Sequence, residues 1–288
     1  QQAYWATLLL AFPTAGLLVR LFIFQHDCGH GSFFSSRFAN DSLGRFISIF
    51  TMTPYDYWKR SHAAHHATSG NLDLRGKGDV PTLTVGEYLA LSPLKKFGYR
   101  VFRNPVFMLG VGVPINFVLL QRLPLGGALR DAEAIKSILG LNLMMLVAFG
   151  IAMAAFGVVP VLLVYLPVIG IASAIGGWLF FIQHQYETTY WERKEAWNFH
   201  DASALGSSFC DLPPILNWFT GNIGLHHIHH LCSRIPNHRL KECQDAFPEL
   251  ASFTKTLTLR DSLLCWNVAL WDETTSTTVS FAEVSAKQ

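Results

Sequence analysis

A chain of 288 residues that is 50% hydrophobic and only 15% charged is too apolar for an ordinary soluble domain, where about a quarter of residues carry charge. Its net charge of +2 offers no case for nucleic acid. Five cysteines (Cys28, Cys210, Cys232, Cys243 and Cys265), an odd number with no C-x-x-C pair, argue against a disulfide framework and suit a reducing compartment, as small buried thiols.

The chain opens QQAYWATLLLAFPTAGLLVRLFIF, without an initiator Met, a basic leader or a small-residue cleavage site. No signal peptide is read there, and the chain reads as beginning inside an already hydrophobic region. Residues 3–24 are long and apolar enough to span a membrane, which takes about 20 residues. Arg20, in the last turn, can snorkel to the headgroups. Residues 43–53 are too short to cross. Residues 105–121 are marginal, with Pro114 and Asn116 in their middle, whereas 137–159 and 160–182 are full-length spans. The tail from about Glu273 is polar and is expected to fray. The chain reads as one domain, 1–288.

Histidines gather at the ends of these segments. QHDCGH holds His26 and His30, four apart and so on one side of a helix. SHAAHH holds His62, His65 and His66, and HHIHH holds His226, His229 and His230, both at i, i+3 and i+4. His184 follows the last span in FIQHQYETTYW. If these imidazoles form one site they share one side of the membrane, so an even number of crossings separates His66 from His184. The hairpin 137–159/160–182 supplies two, which leaves 105–121 interfacial or re-entrant. Every Lys and Arg after Arg20 then falls on the histidine side, which the positive-inside rule makes cytoplasmic.

Eight histidines in three helical stripes point to metal. Neutral imidazole suits Fe, Zn, Cu and Ni. A structural zinc needs four ligands, usually including Cys, whereas eight or nine histidines suffice for two ions with an open position. Cys28 and Cys232 point off the stripes. Nitrogen in excess with thiolate excluded fits oxygen chemistry, where a thiolate would oxidise. The sequence contains no H-E-x-x-H and no Glu-x-x-His, so neither a zinc protease nor a carboxylate-bridged di-iron bundle is indicated. His227 points off its stripe and reads as structural. His200 lacks a partner at helical spacing, and His238 follows Pro236 in an expected loop. Asp27, Glu187 and Asp201 are the carboxylates expected to orient ligand imidazoles, with Asp73 and Asp79 also near the boxes. Trp178, Tyr186, Tyr190, Trp191, Trp197 and Trp218 are expected mostly as interface anchors and packing.

HDCGH, HAAHH and HHIHH resemble the three histidine boxes of the membrane fatty acid desaturases. The longer phrases QHDCGHGSFF, HHATSGNLDLRGKGDV, QHQYETTYW and GSSFCDLPPILNWFTGNIGLHHIHHLCSRIPNHRL are similar to the bacterial and cyanobacterial acyl-lipid branch, which includes the delta-12 (omega-6) enzymes. The likeness runs from about Leu21 to Glu249. It implies an all-α integral membrane protein whose transmembrane helices carry a cytoplasmic helical cap with a histidine-rich dinuclear metal site. It implies two iron ions held by His26, His30, His62, His65, His66, His184, His226, His229 and His230. The implied reaction is O2-dependent insertion of a cis double bond into the acyl chain of a membrane lipid. One departure stands out. An Asn one turn before the ninth histidine reaches a metal through water in the acyl-CoA branch, and Phe180 stands there in this chain. Asn222, one turn before His226, is the substitute considered, or else it caps the following helix.

No Rossmann fingerprint, haem-attachment motif or cytochrome b5 motif occurs in the sequence, so a separate electron donor is expected, such as ferredoxin or cytochrome b5. Lys59, Arg60, Lys77, Lys95, Lys96, Arg100 and Arg103 are the basic residues expected to face it, or to face anionic headgroups. Ligand spacing does not separate desaturation from an acyl or hydrocarbon hydroxylase or ketolase. A metal transporter is the more distant alternative, since transport sites lie at mid-membrane rather than beyond the span ends.

Overall fold

The computed structural model describes residues 3–76 and 78–286; Lys77, counted above among the basic residues, lies outside them. Along the chain run α1 (Tyr4–His30), α2 (Arg37–Thr51), α3 (Tyr55–Thr68), β1 (Leu83–Thr84), α4 (Val85–Leu89) and α5 (Pro93–Arg103). A broken stretch follows, with α6 (Pro105–Phe107) and α7 (Val113–Val118) separated by a π-helical turn. Then come α8 (Ala132–Phe156), α9 (Val158–His184), α10 (Phe199–Leu205), β2 (Phe209–Asp211), α11 (Pro214–Phe219), α12 (His226–Leu231) and α13 (Asn237–Ala246). The chain ends with β3 (Thr256–Thr258), α14 (Leu259–Leu264), β4 (Leu270–Asp272), β5 (Thr277–Val279) and α15 (Phe281–Ala286). The protein is mostly helical as expected, with five short strands among the described residues that the sequence reading did not include.

Local chemistry sets the helix ends. Gly31, at φ 68°, closes α1 with its N–H on the Asp27 and Cys28 carbonyls, a left-handed turn that suits a residue without Cβ. Ser36 caps α2 by accepting the Ala39 N–H, and Asp131 caps α8 by accepting those of Glu133 and Ala134. Gly157, at φ 86°, makes the sharp reversal between α8 and α9. Among the described residues four stretches are long and apolar enough to cross a membrane: Tyr4–His30, Pro105–Arg130, Ala132–Phe156 and Val158–His184. The second is the segment read above as marginal, and it is built from short helical pieces rather than one regular helix.

The fold divides into two compact units. One comprises Gln1–Arg60, Leu109–Gly177 and Phe219–Gly221. Within it the Tyr55 ring sits on Gly44 of α2, so close that a Cβ there would stand 2.2 Å from Tyr55 Cε2. Buried Gln25 ties α1 to α2, donating to Ser48 Oγ at 3.3 Å and accepting from Thr51 Oγ1 at 2.6 Å. Tyr55 and Lys59 both donate to Asp41 Oδ1.

The other unit comprises Ser61–Met108, Trp178–Trp218 and Asn222–Gln288. Its small sheet has the order β1-β4-β5, with β1 parallel to β4 and Leu270 opposite Val279 in the antiparallel β4–β5 pair. Within the tail expected to fray, Thr277–Val279 form β5 and Phe281–Ala286 form α15. Thr278 donates its backbone N–H to the Glu187 carbonyl, and Val279 and Val284 pack with Tyr88 and Leu270. A polar composition hid two buried valines. Of the expected basic surface, Arg103 is instead buried. The aromatic residues expected at the headgroups divide as well: Tyr186 and Trp191 are buried, and Trp197 Nε1 donates to the Ser69 carbonyl.

Candidate metal centre

Seven of the nine candidate ligands lie in the second unit. The last two turns of α3 carry His62, His65 and His66, the end of α9 carries His184, and the six-residue α12 carries His226, His229 and His230. Two clusters result. In one, His66 Nε2 lies 3.2 Å from His62 Nε2 and 3.1 Å from His229 Nε2. In the other, His184 Nε2 lies 3.2 Å from His65 Nε2 and 3.0 Å from His226 Nε2, and His230 joins His65 and His184 with ligand atoms within 4.8 Å of one another. The i, i+3, i+4 spacing achieves this division, because α3 and α12 each supply imidazoles to both clusters.

These distances match nitrogens sharing an ion. Bonds of about 2.1 Å at angles between octahedral and tetrahedral separate two ligand nitrogens by about 3.0–3.4 Å. The donor set fits as well. Burial holds the His230 imidazole well below the ordinary histidine pKa, with the neighbouring His66, His226, His184 and His65 adding to the effect. Neutral imidazole is the form that binds metal. Buried His230 Nε2 has no hydrogen-bond partner among the described residues, which a metal bond would supply.

The groups behind the ligands are defined. Buried His65 donates Nδ1–H to Asp79 Oδ1 at 2.5 Å, and His184 donates Nδ1–H to the Gly206 carbonyl at 2.9 Å. Asp79 is in turn oriented by the Gly76 N–H at 3.2 Å. A cavity of only about 10 Å³ lies behind His65 and His184, so protein rather than bulk water backs the rings. The Phe180 ring packs 5.3 Å from the rings of both.

Asp79 is thus a carboxylate on a box histidine, and the sequence reading favoured others. Glu187 is exposed, and exposed Asp201 belongs to the start of α10, where its N–H meets Asn198 Oδ1. Asp73 pairs with Arg193. Asp27 lies in the first unit, 3.4 Å from His26 Nδ1, and there the His26 and His30 rings are 4.7 Å apart. Asn222 does not cap α12. It takes a left-handed conformation at φ 57°, and its side chain donates to the Asn237 carbonyl. His227 is buried against Phe209, off both clusters, and burial pushes its pKa down to about 4. Exposed His200 and His238 belong to neither cluster; His238 sits in the first turn of α13 rather than in a loop.

Helices long enough to cross a membrane, together with grouped histidines that could hold metal ions, define the class of protein to which this chain is compared. More particularly, the chain belongs to the fatty acid desaturase family, whose profile matches residues 3–257. It is 41% identical to a fatty acid desaturase of Bacillus subtilis over 98% of this chain and 79% of that one. Two proteins of Synechocystis are more distant. An sn-1 oleoyl-lipid 12-desaturase is 24% identical over 82% of this chain and 66% of its own length. An sn-1 acyl-lipid omega-3 desaturase (ferredoxin) is 25% identical over 78% and 63%. The activity is that of a fatty acid desaturase.

Proposed function

We propose that the nine histidines hold two iron ions. His65, His184, His226 and His230 serve one. His62, His66 and His229 serve the other, joined by His26 and His30, whose i, i+4 spacing presents two rings together. The observation that carries this reading is the set of four Nε2–Nε2 separations of 3.0–3.2 Å in the second unit.

The substrate is the acyl chain of a membrane lipid, and the new bond is of delta-12 (omega-6) type, a reading that rests on the more distant relatives. Two hydrogens leave adjacent methylenes, and O2 takes them up with two protons and two electrons to give two waters. The metals, with O2, supply the oxidant that an unactivated C–H bond needs and no side-chain acid or base can provide. The chain's own groups prepare the site. Asp79 and the Gly206 carbonyl fix two rings, burial favours the neutral form of His230, and Phe180 makes the wall behind His65 and His184 apolar. The electrons come from a separate carrier of ferredoxin or cytochrome b5 type, and ferredoxin appears in the name of one relative.

α1, α8 and α9 cross the membrane, while residues 105–121 lie at or re-enter its surface, so the nine histidines face the cytoplasm. The test is expression in a host that makes only monounsaturated lipids, with gas chromatography of the acyl chains. Dienes are expected, and His65→Ala or His229→Ala should abolish them while leaving insertion intact. Hydroxy products without a new double bond would favour the hydroxylase alternative. Purified protein holding no more than one tightly bound iron per chain would refute the paired site.

A further inference from the structure

Helix α5, Pro93–Arg103, is turned inside out. Its inner side is polar. Buried Arg103 donates from Nη2 to Gln185 Oε1 at 2.8 Å and to the Val268 carbonyl at 3.1 Å, and from Nη1 to the Pro81 carbonyl at 3.3 Å. Tyr99 donates its hydroxyl to the Ala269 carbonyl and accepts the Leu83 N–H. Arg100 Nε donates to the Tyr88 hydroxyl at 2.7 Å, and the Lys96 ammonium lies 5.8 Å from the centre of the same ring. The outer side is apolar. Leu94 is 79% exposed, Phe97 66% and Phe102 37%. Positions 94, 97, 101 and 102 follow the i, i+3, i+7, i+8 spacing of one helical stripe, which a surface helix of a soluble protein would turn toward its core.

The occupant of that stripe is indicated by what adjoins it. One residue beyond α5, Asn104, the chain enters Pro105–Arg130, a stretch apolar enough to enter a membrane, and its Val106 (76% exposed) and Phe107 extend the outward apolar surface. Exposed Lys95 flanks the stripe on one side, and on the other Arg100, exposed even while its Nε holds Tyr88, marks the edge of the inner face, so cations border the apolar face as they do on helices that lie in a bilayer surface. A protein partner would meet an apolar face continuous with a membrane segment. A lipid surface meets both the apolar stripe and its basic border.

We propose that α5 lies flat in an anionic lipid surface, with Leu94, Phe97 and Phe102 sunk among the acyl chains and Lys95 and Arg100 among the headgroups. The inner face of the same helix grips Gln185, the neighbour of His184, so a membrane-seated element braces the segment that carries a proposed ligand. This rests on the membrane reading of the chain and not on its reaction.

The experiment places a nitroxide at Leu94→Cys, Phe97→Cys or Lys95→Cys in the full-length protein. Accessible Cys232 and partly accessible Cys243 are first replaced by Ser, and the protein is reconstituted in phosphatidylcholine–phosphatidylglycerol vesicles. Collision with O2, which concentrates in the bilayer, is compared with collision with a water-soluble nickel chelate. At 94 and 97 oxygen should dominate several-fold, and at 95 the ratio should fall toward the aqueous value. Nickel dominance at 97 would overturn the proposal, since the stripe would then face water. Low collision with both reagents would overturn it equally, since protein would then cover the stripe. Unchanged metal content in each labelled variant identifies folded protein, and the readout is independent of product formation.

Discussion

Replacing Asp79 by Asn keeps the shape of the side chain and removes its charge. The carboxylate lies 2.5 Å from His65 Nδ1, and the two side chains are only 6% and 2% exposed, so solvent does not screen the contact. A charged acceptor on the far nitrogen raises the basicity of the ligating one and fixes the ring, and loss of such a partner typically costs 10–100-fold in metal affinity. That corresponds to about 1.4–2.8 kcal/mol. The loss should fall on the cluster of His65, His184, His226 and His230. Chelator competition on purified protein measures it, with diene yield as the second readout. Asp73→Asn is the control, because Asp73 forms an exposed pair with Arg193 away from any imidazole, and it should change affinity by less than about twofold. An Asp79→Asn protein that binds metal as tightly as its parent would refute the reasoning, as would an equal loss in the control.

His184→Ala should reduce bound metal from two ions per chain to one, measured by elemental analysis, whereas His200→Ala and His238→Ala should retain both; equal losses would undo the assignment of clusters. Gly44→Ala forces a Cβ to within 2.2 Å of Tyr55 Cε2. Overpacking of about 1–3 kcal/mol should outweigh the gain of about 1 kcal/mol in helix propensity, lowering the melting midpoint in detergent. An unchanged midpoint would show that the ring swings aside freely. Burial pushes the Asp41 carboxyl up, but hydrogen bonds from Lys59 and Tyr55 outweigh this and hold its pKa below the ordinary value. Its contribution to stability is therefore present above about pH 4, the unfolded value, and is lost as pH falls through the lower folded value. Asp41→Asn should flatten the acid limb of midpoint against pH, and coincident limbs in variant and parent would contradict this.

The clusters were legible because helical spacing is a local rule. Once α3 and α12 form, positions i, i+3 and i+4 must share a side, which groups six of the seven; the seventh, His184, comes from the end of α9. Asp79 follows no such rule. It lies 14 positions beyond His65, past the end of α3, and nothing in HHATSGNLDLRGKGDV separates it from Asp73, which turns instead to Arg193. The long helices were also legible, but their ends were not. α1 continues beyond the apolar run 3–24 to His30, because Gln25, His26 and Asp27 are buried by neighbouring protein rather than exposed to lipid. The tail misled for the opposite reason. Its threonines look like solvent-facing linker, yet Thr278 spends its hydroxyl on the Tyr186 carbonyl and lies within a sheet.

The two hydrogen bonds from ring Nδ1 have a consequence in common. With the proton of His65 committed to Asp79 and that of His184 committed to Gly206, each ring turns a lone pair toward the other across 3.2 Å. Like poles face each other, and no rotation of either ring relieves them without giving up a buried bond. The fold thus commits both rings to offering Nε2 to a cation. Ion capture should for that reason need no change of tautomer in either ring.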